Sequence, residues 1–117
     1  MQKKKIPLYA IRIAVDGDMK RMPIEMDKKW PTIQSALGTR ATEQHYAGEH
    51  NGVRRIAICD RYGSVSNKGV NTVASQLCGT KLYGVVLLLK ENADGFPVLM
   101  SDAAAYMMQR EVERLIW

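Results

Sequence analysis

Apolar and polar residues alternate along "LYAIRIAVD" (8–16), with Tyr9, Ile11, Ile13 and Val15 on one side. A period of two predicts a strand with one face turned to a core. "DGD" (16–18) is a turn signal, and "MKRMPIEM" (19–26) then reads as a returning strand. Pro23 has no amide to donate, which places it at an edge or a bulge. Next, Trp30, Ile33 and Leu37 recur at helical spacing. That predicts a short helix with Asp27 as candidate N-cap, or a start at Trp30 or Pro31, and with Gly38 as its stop.

"ATEQHYAG" (41–48) is a strand of weak pattern, and Asn51-Gly52 after it is the strongest hairpin signal in the chain. "VRRIAICD" (53–60) departs from strict alternation, so it has both faces covered or carries a bulge. "VNTVASQLCG" (70–79) fits a short helix with Asn71 as cap and Gly79 as stop. "TKLYGVVLLLKE" (80–91) is apolar on both faces and predicts a central strand, with "FPVLM" (96–100) returning at an edge. Ser101 caps a last helix in which Ala105, Met108, Val112, Leu115 and Ile116 form one apolar stripe. The order predicts an α+β fold: a mostly antiparallel sheet of about 5–6 strands, with two short helices and a C-terminal helix packed on one face.

Length then limits the architecture, since 117 residues make one domain (1–117), with 1–6 as a basic tail. Phe occurs once and Met seven times, so the core relies on Val, Ile, Leu and Met. The net charge is +5, but only +2 once Lys3, Lys4 and Lys5 are set aside, which weakens any argument from charge to nucleic acid. Cys59 and Cys78 form no CxxC pair and sit in apolar surroundings, as reduced thiols of an intracellular protein do. No run approaches the ~20 apolar residues of a membrane span, and the start lacks an apolar signal segment. A cytoplasmic protein without membrane contact is expected.

Candidate chemistry concentrates in "GSVSNKGVNTVAS" (63–75). A Walker loop needs Gly-Lys followed by a hydroxyl, whereas here Lys68 precedes Gly69. A weaker anion site remains: backbone amides at the start of the following helix, with Lys68 beside them and Ser66, Asn67, Asn71 and Thr72 supplying polar groups. The competing reading is an ordinary polar loop with an Asn cap. Arg61 and Tyr62 can hold a nucleotide by charge and stacking, or be a solvated strand end. His45, Glu49 and His50 miss the metalloprotease helix spacing and lack a fourth ligand, so no metal or cofactor is expected. A thiol nucleophile at Cys59 needs a base; Asp60 points to the opposite face, and His45 or His50 reaches it only across a 42–60 hairpin.

Two stretches carry a recurring arrangement of Gly, Asn and apolar positions. "ICDRYGSVSNKGVNTVASQLCGTKLYGVVLLLKENADGFPVLMSDAAA" carries Gly63, Asn67, Gly69, Asn71, Gly79, Leu82, Gly84, Leu87, Gly95, Ser101 and Asp102, and "IRIAVDGD…PIEMD…W-x-x-IQSALG" precedes it. Together they resemble a family of small phage- and plasmid-encoded proteins of unknown function, and the His-bearing segment 40–52 aligns least. The resemblance implies a viral or mobile-element origin and supplies no catalytic residue.

The reading that follows is a non-enzymatic accessory protein acting in the host cytoplasm. It binds a host factor or sequesters a small anionic, nucleotide-type ligand, an anti-defence role, through Arg61, Tyr62, Ser66, Asn67, Lys68, Asn71 and Thr72. Copies associate through the Met-rich C-terminal helix. The alternative is a nucleic-acid-binding module in which the basic tail, Lys20-Arg21, Lys28-Lys29 and Arg54-Arg55 track phosphates. An enzyme ranks third, because no nucleophile, base and orienting group are paired in the sequence.

Overall fold

The computed structural model describes residues 6–116, so the basic tail before Ile6 and the terminal Trp117 lie outside the described residues. Strands β1 (Leu8–Ile13), β2 (Met19–Ile24), β3 (Thr42–His50), β4 (Val53–Asp60), β5 (Val86–Glu91) and β6 (Pro97–Val98) form one antiparallel sheet. Its order is β2-β1-β5-β4-β3, with β6 pairing the far end of β5. Helices α1 (Lys29–Leu37), α2 (Thr72–Cys78) and α3 (Asp102–Ile116) complete the predicted α+β architecture.

The helices do not share one face. Ile33 and Leu37 of α1 pack with Ala10, Ile56, Ile58, Leu87 and Leu89 on one side of the sheet. Val73 and Ala74 of α2 and Ala105, Met108 and Val112 of α3 pack with Ile11, Ile13, Ala57, Cys59 and Leu88 on the other. Three layers result, and they explain why β4 is buried from Arg55 to Asp60 without alternation. Central β5 lies between β1 and β4, and Val86, Leu87, Leu88 and Leu89 are all fully buried.

Several element boundaries move for identifiable reasons. β1 ends at Ile13 because the turn already closes from Ala14, whose amide donates to Asp18 and whose carbonyl accepts from Gly17; Val15 is exposed. Asp27 does not cap α1 but sits in a short 3-10 turn (Met26–Lys28) ahead of it, and Gly38 ends the helix at φ 70°. β5 begins at Val86 because residues 80–85 are held instead by the Val70–Tyr83 bridge, by the Asn71 amide donating to the Leu82 carbonyl and by the Leu82 amide donating to the Ser75 hydroxyl. In α3, Leu115 lies outside the buried stripe. Ser101 does cap that helix, accepting from the Ala104 amide.

The β3–β4 hairpin decides what the sheet edge presents. Asn51 (φ 49°) and Gly52 (φ 79°) both adopt left-handed geometry, as a two-residue hairpin turn requires. Glu49 pairs with Arg54 and His50 with Val53, but beyond a bulge Tyr46 pairs with Ile56, His45 with Ala57 and Glu43 with Cys59. Ala47 and Gly48 thus oppose the single residue Arg55. The Arg55 side chain is buried, its Nε donates to the Ala47 carbonyl at 2.8 Å, and its guanidinium fills the space a side chain on Gly48 would need. A Cβ there would stand 2.4 Å from Arg55 Nη2, on a backbone at φ 92°.

Gly48→Ala is therefore expected to cost about 2–4 kcal/mol, from left-handed strain plus overpacking. A shift in the denaturation midpoint at unchanged slope measures it, and an unaltered midpoint refutes the account of the bulge.

Candidate functional site

The polar loop that follows β4 divides into inward and outward side chains. Asp60, at the strand end, is buried, and Lys68 Nζ lies 2.8 Å from its Oδ2. The same ammonium donates to the Leu37 carbonyl at 2.7 Å, at the negative end of α1. Its stem crosses Gly84, where a Cβ would approach Lys68 Cδ to 2.8 Å. Burial alone raises the Asp60 carboxyl. The Lys68 hydrogen bond, the Tyr62 amide, the Lys68 charge and the Thr39 hydroxyl outweigh it and hold Asp60 below the ordinary carboxylate value. Lys68 is thus a strap joining α1, β4 and the 84 turn, with its charge neutralised, and not a free cation awaiting a ligand.

Asn71 is likewise withdrawn from the surface. It is fully buried, its Nδ2 donates to the Ile13 and Gly84 carbonyls at 3.0 and 2.9 Å, and its Oδ1 accepts from the Ala74 amide at 3.1 Å. Three bonds leave no capacity for an external anion. Loop amides are also matched internally: Gly63 to Asp60, Val65 and Ser66 to Tyr62, Lys68 to Gly63, Asn71 to Leu82. Of the residues read as an anion cradle, Lys68 and Asn71 are structural, whereas Arg61, Tyr62, Ser66, Asn67 and Thr72 are exposed. Asn67 takes left-handed geometry at φ 57°, which fits a turn role.

Arg61 borders a small cleft of about 120 Å³ lined also by Glu43, Cys59, Asp60, Ser64, Lys81 and Tyr83. Beside it lies a constellation of which the sequence suggested only the approach of His45 to Cys59 across the hairpin, without Glu43. Glu43, His45 and Cys59 place one donor atom each within 4.8 Å of one another, and His45 Nε2 meets Glu43 Oε1 at 2.6 Å. The bulge brings this about. Without the extra residue on β3, Gln44 would face Cys59, and Glu43 and His45 would turn to the opposite side of the sheet. The legible signal was Gly48 between the Asn51-Gly52 turn and the His, a natural place for a one-residue shift.

The electrostatics of this trio oppose a nucleophile. Burial, reinforced by Glu43, Cys78 and Asp60, pushes the Cys59 thiol up to about 12. His45 is turned to Glu43, and no hydrogen bond to the Cys59 sulfur occurs among the described residues. Burial also pushes Cys78 up to about 11, against a lowering contribution from Arg55. His50 lies elsewhere, with its Nε2 3.4 Å from Glu111 of α3.

A second feature is larger and apolar. Ile6, Pro7, Pro23, Ile24 and Met26, with the carboxylates of Glu25 and Asp27, line an open groove of about 750 Å³ where β1 begins and β2 ends. Ile6 and Met26 are 83% and 62% exposed, far more than core residues of this type. No described helix is long and apolar enough to cross a membrane. Comparison with protein-family models, curated proteins and solved structures returned no match to this chain.

Two outcomes are expected. Asn71→Ala strands two buried carbonyls and one helix amide and lowers stability by about 3 kcal/mol, measurable by urea unfolding. Because the folded Asp60 carboxyl is lowered, its contribution is complete above the ordinary value of 3.8 and is lost as pH falls through the folded value. Asp60→Asn should therefore flatten the acid limb of the stability curve below about pH 4, and an unchanged limb contradicts the assignment.

Proposed function

We propose that this is a non-enzymatic accessory protein that works by binding a host protein, and that the apolar groove at the β1–β2 end is its binding surface. The observation that carries this reading is the groove itself. Its volume of about 750 Å³ lies within the range of ligand sites, and its walls are mostly aliphatic. Asp27 adds negative charge, while Glu25 is already paired with Lys28; the remaining carboxylate suits a partner segment with an apolar anchor flanked by Lys or Arg and disfavours a phosphate-bearing ligand. The resemblance of 58–105 to phage- and plasmid-encoded proteins supports a mobile-element setting, with interference in a host defence as the role.

The nucleotide reading has less support. The cleft beside Arg61, at about 120 Å³, is below the roughly 300 Å³ of the smallest usual ligand pockets. The nucleic-acid reading is weakened by pairing: Lys20 with Asp18, Arg21 with Asp102, Lys28 with Glu25, Arg54 with Glu91, Arg55 with Glu111 and Lys68 with Asp60. Cations already neutralised in place release fewer counterions on meeting a phosphate backbone. Association of copies through α3 is supported by exposed Tyr106, Met107 and Leu115 on that helix.

Selection of short random peptides on the purified chain tests the proposal. Selected peptides are expected to combine an aromatic or aliphatic anchor with Lys or Arg and to shift the amide resonances of Ile24, Glu25 and Met26. Met26→Glu, at an exposed position, should weaken them at least tenfold without lowering stability. Peptides that map to another surface, or that tolerate Met26→Glu, overturn the assignment.

A further inference from the structure

We propose that Glu43, His45 and Cys59 form a binding site for a divalent metal ion of the zinc class. The three residues come from two adjacent strands, which hold the backbone rigid across the site: Glu43 is directly opposite Cys59, and His45 directly opposite Ala57. The carboxylate, the imidazole and the Cys59 sulfur offer donor atoms within 4.8 Å of one another, and the ion takes the place of the thiol proton, which leaves to solvent. Donors bound to one zinc ion at ~2.0–2.3 Å stand roughly 3.5 Å apart in tetrahedral geometry, so adjustment of about 1 Å completes the set. Glu43 and His45 are half-buried and able to adjust, whereas Cys59 is fixed in the core. The 2.6 Å contact between His45 Nε2 and Glu43 Oε1 opens slightly as both atoms turn to the ion.

The donor chemistry selects the metal. Calcium and magnesium take oxygen donors, and a thiol with an imidazole is foreign to them. A mixed sulfur, nitrogen and oxygen set suits zinc and its neighbours. Three protein ligands leave one coordination position open, and Glu43 and Cys59 both border the cleft that Arg61, Ser64, Lys81 and Tyr83 also line. That cleft gives water or a small anion access to the fourth position, the arrangement of an open zinc site. A bound ion ties the exposed β3 edge to buried β4 at the end farthest from the hairpin turn. The site is separate from the apolar groove, so its test is independent of the proposed partner binding.

The test is cobalt(II) titration of the full chain after treatment with a chelator, followed by zinc displacement. One cobalt per chain is expected, with a thiolate-to-metal charge-transfer band in the near ultraviolet and visible bands of a four-coordinate ion. Cys59→Ala abolishes the charge-transfer band, and His45→Gln and Glu43→Gln each weaken binding by roughly tenfold or more. Cys78→Ala and His50→Gln leave the spectrum unchanged. Absence of stoichiometric binding, or a thiolate band that survives Cys59→Ala or depends on Cys78, overturns the proposal. Should Cys59→Ala fail to fold, His45→Gln decides: unaltered cobalt affinity in that variant is equally fatal.

Discussion

The guanidinium of Arg55 against the backbone of Gly48 sets the geometry of the whole sheet edge. A buried cation is costly, and this one is compensated by the Ala47 carbonyl at 2.8 Å and by Glu111 at 4.0 Å from Nη1. Nη1 itself makes no hydrogen bond. The position is tenable because Gly48 has no side chain and accepts a backbone that other residues avoid. The bulge so formed shifts the register of β3 by one residue. Every side chain beyond it changes face, and Glu43 and His45 arrive beside Cys59 instead of beside Ile58 and Asp60.

A second set of polar contacts holds the opposite side of β4. Lys68 neutralises Asp60 and satisfies the last turn of α1, while Asn71 binds carbonyls from β1 and the 84 turn and caps α2. Lys68 joins the end of α1 to β4, and Asn71 joins β1 and the 84 turn to the start of α2, so the β4–α2 connection is a clasp between layers. Its exposed members, Arg61, Tyr62, Ser66, Asn67 and Thr72, sit on the outside of that clasp.

Shape and charge then separate the two surface features. The groove at the β1–β2 end is wide and mostly aliphatic, with Glu25 and Asp27 among its lining. The cleft beside Arg61 is small and mixed in charge, and Glu43 and Cys59 both border it. Neither lies at the start of α2 that the Gly- and Asn-rich loop suggested, where Asn71 is turned inward and caps the helix through the Ala74 amide.

Local pattern determined the elements. A period-two run marked β1, Asn51-Gly52 marked the hairpin, Gly38 and Gly79 ended helices, Ser101 began one, and the apolar run within 80–91 marked the central strand. These signals are legible because they act between residues close in the chain, through dihedral preference and side-chain periodicity. Only tertiary structure decided that α1 lies on the face opposite α2 and α3, and that Lys68 and Asn71 point inward. It alone decided that Glu43, His45 and Cys59 meet. Each of those outcomes depends on partners far along the chain or on a one-residue shift in register. A polar side chain reads the same in sequence whether its partner is solvent, a ligand or a carbonyl from another layer.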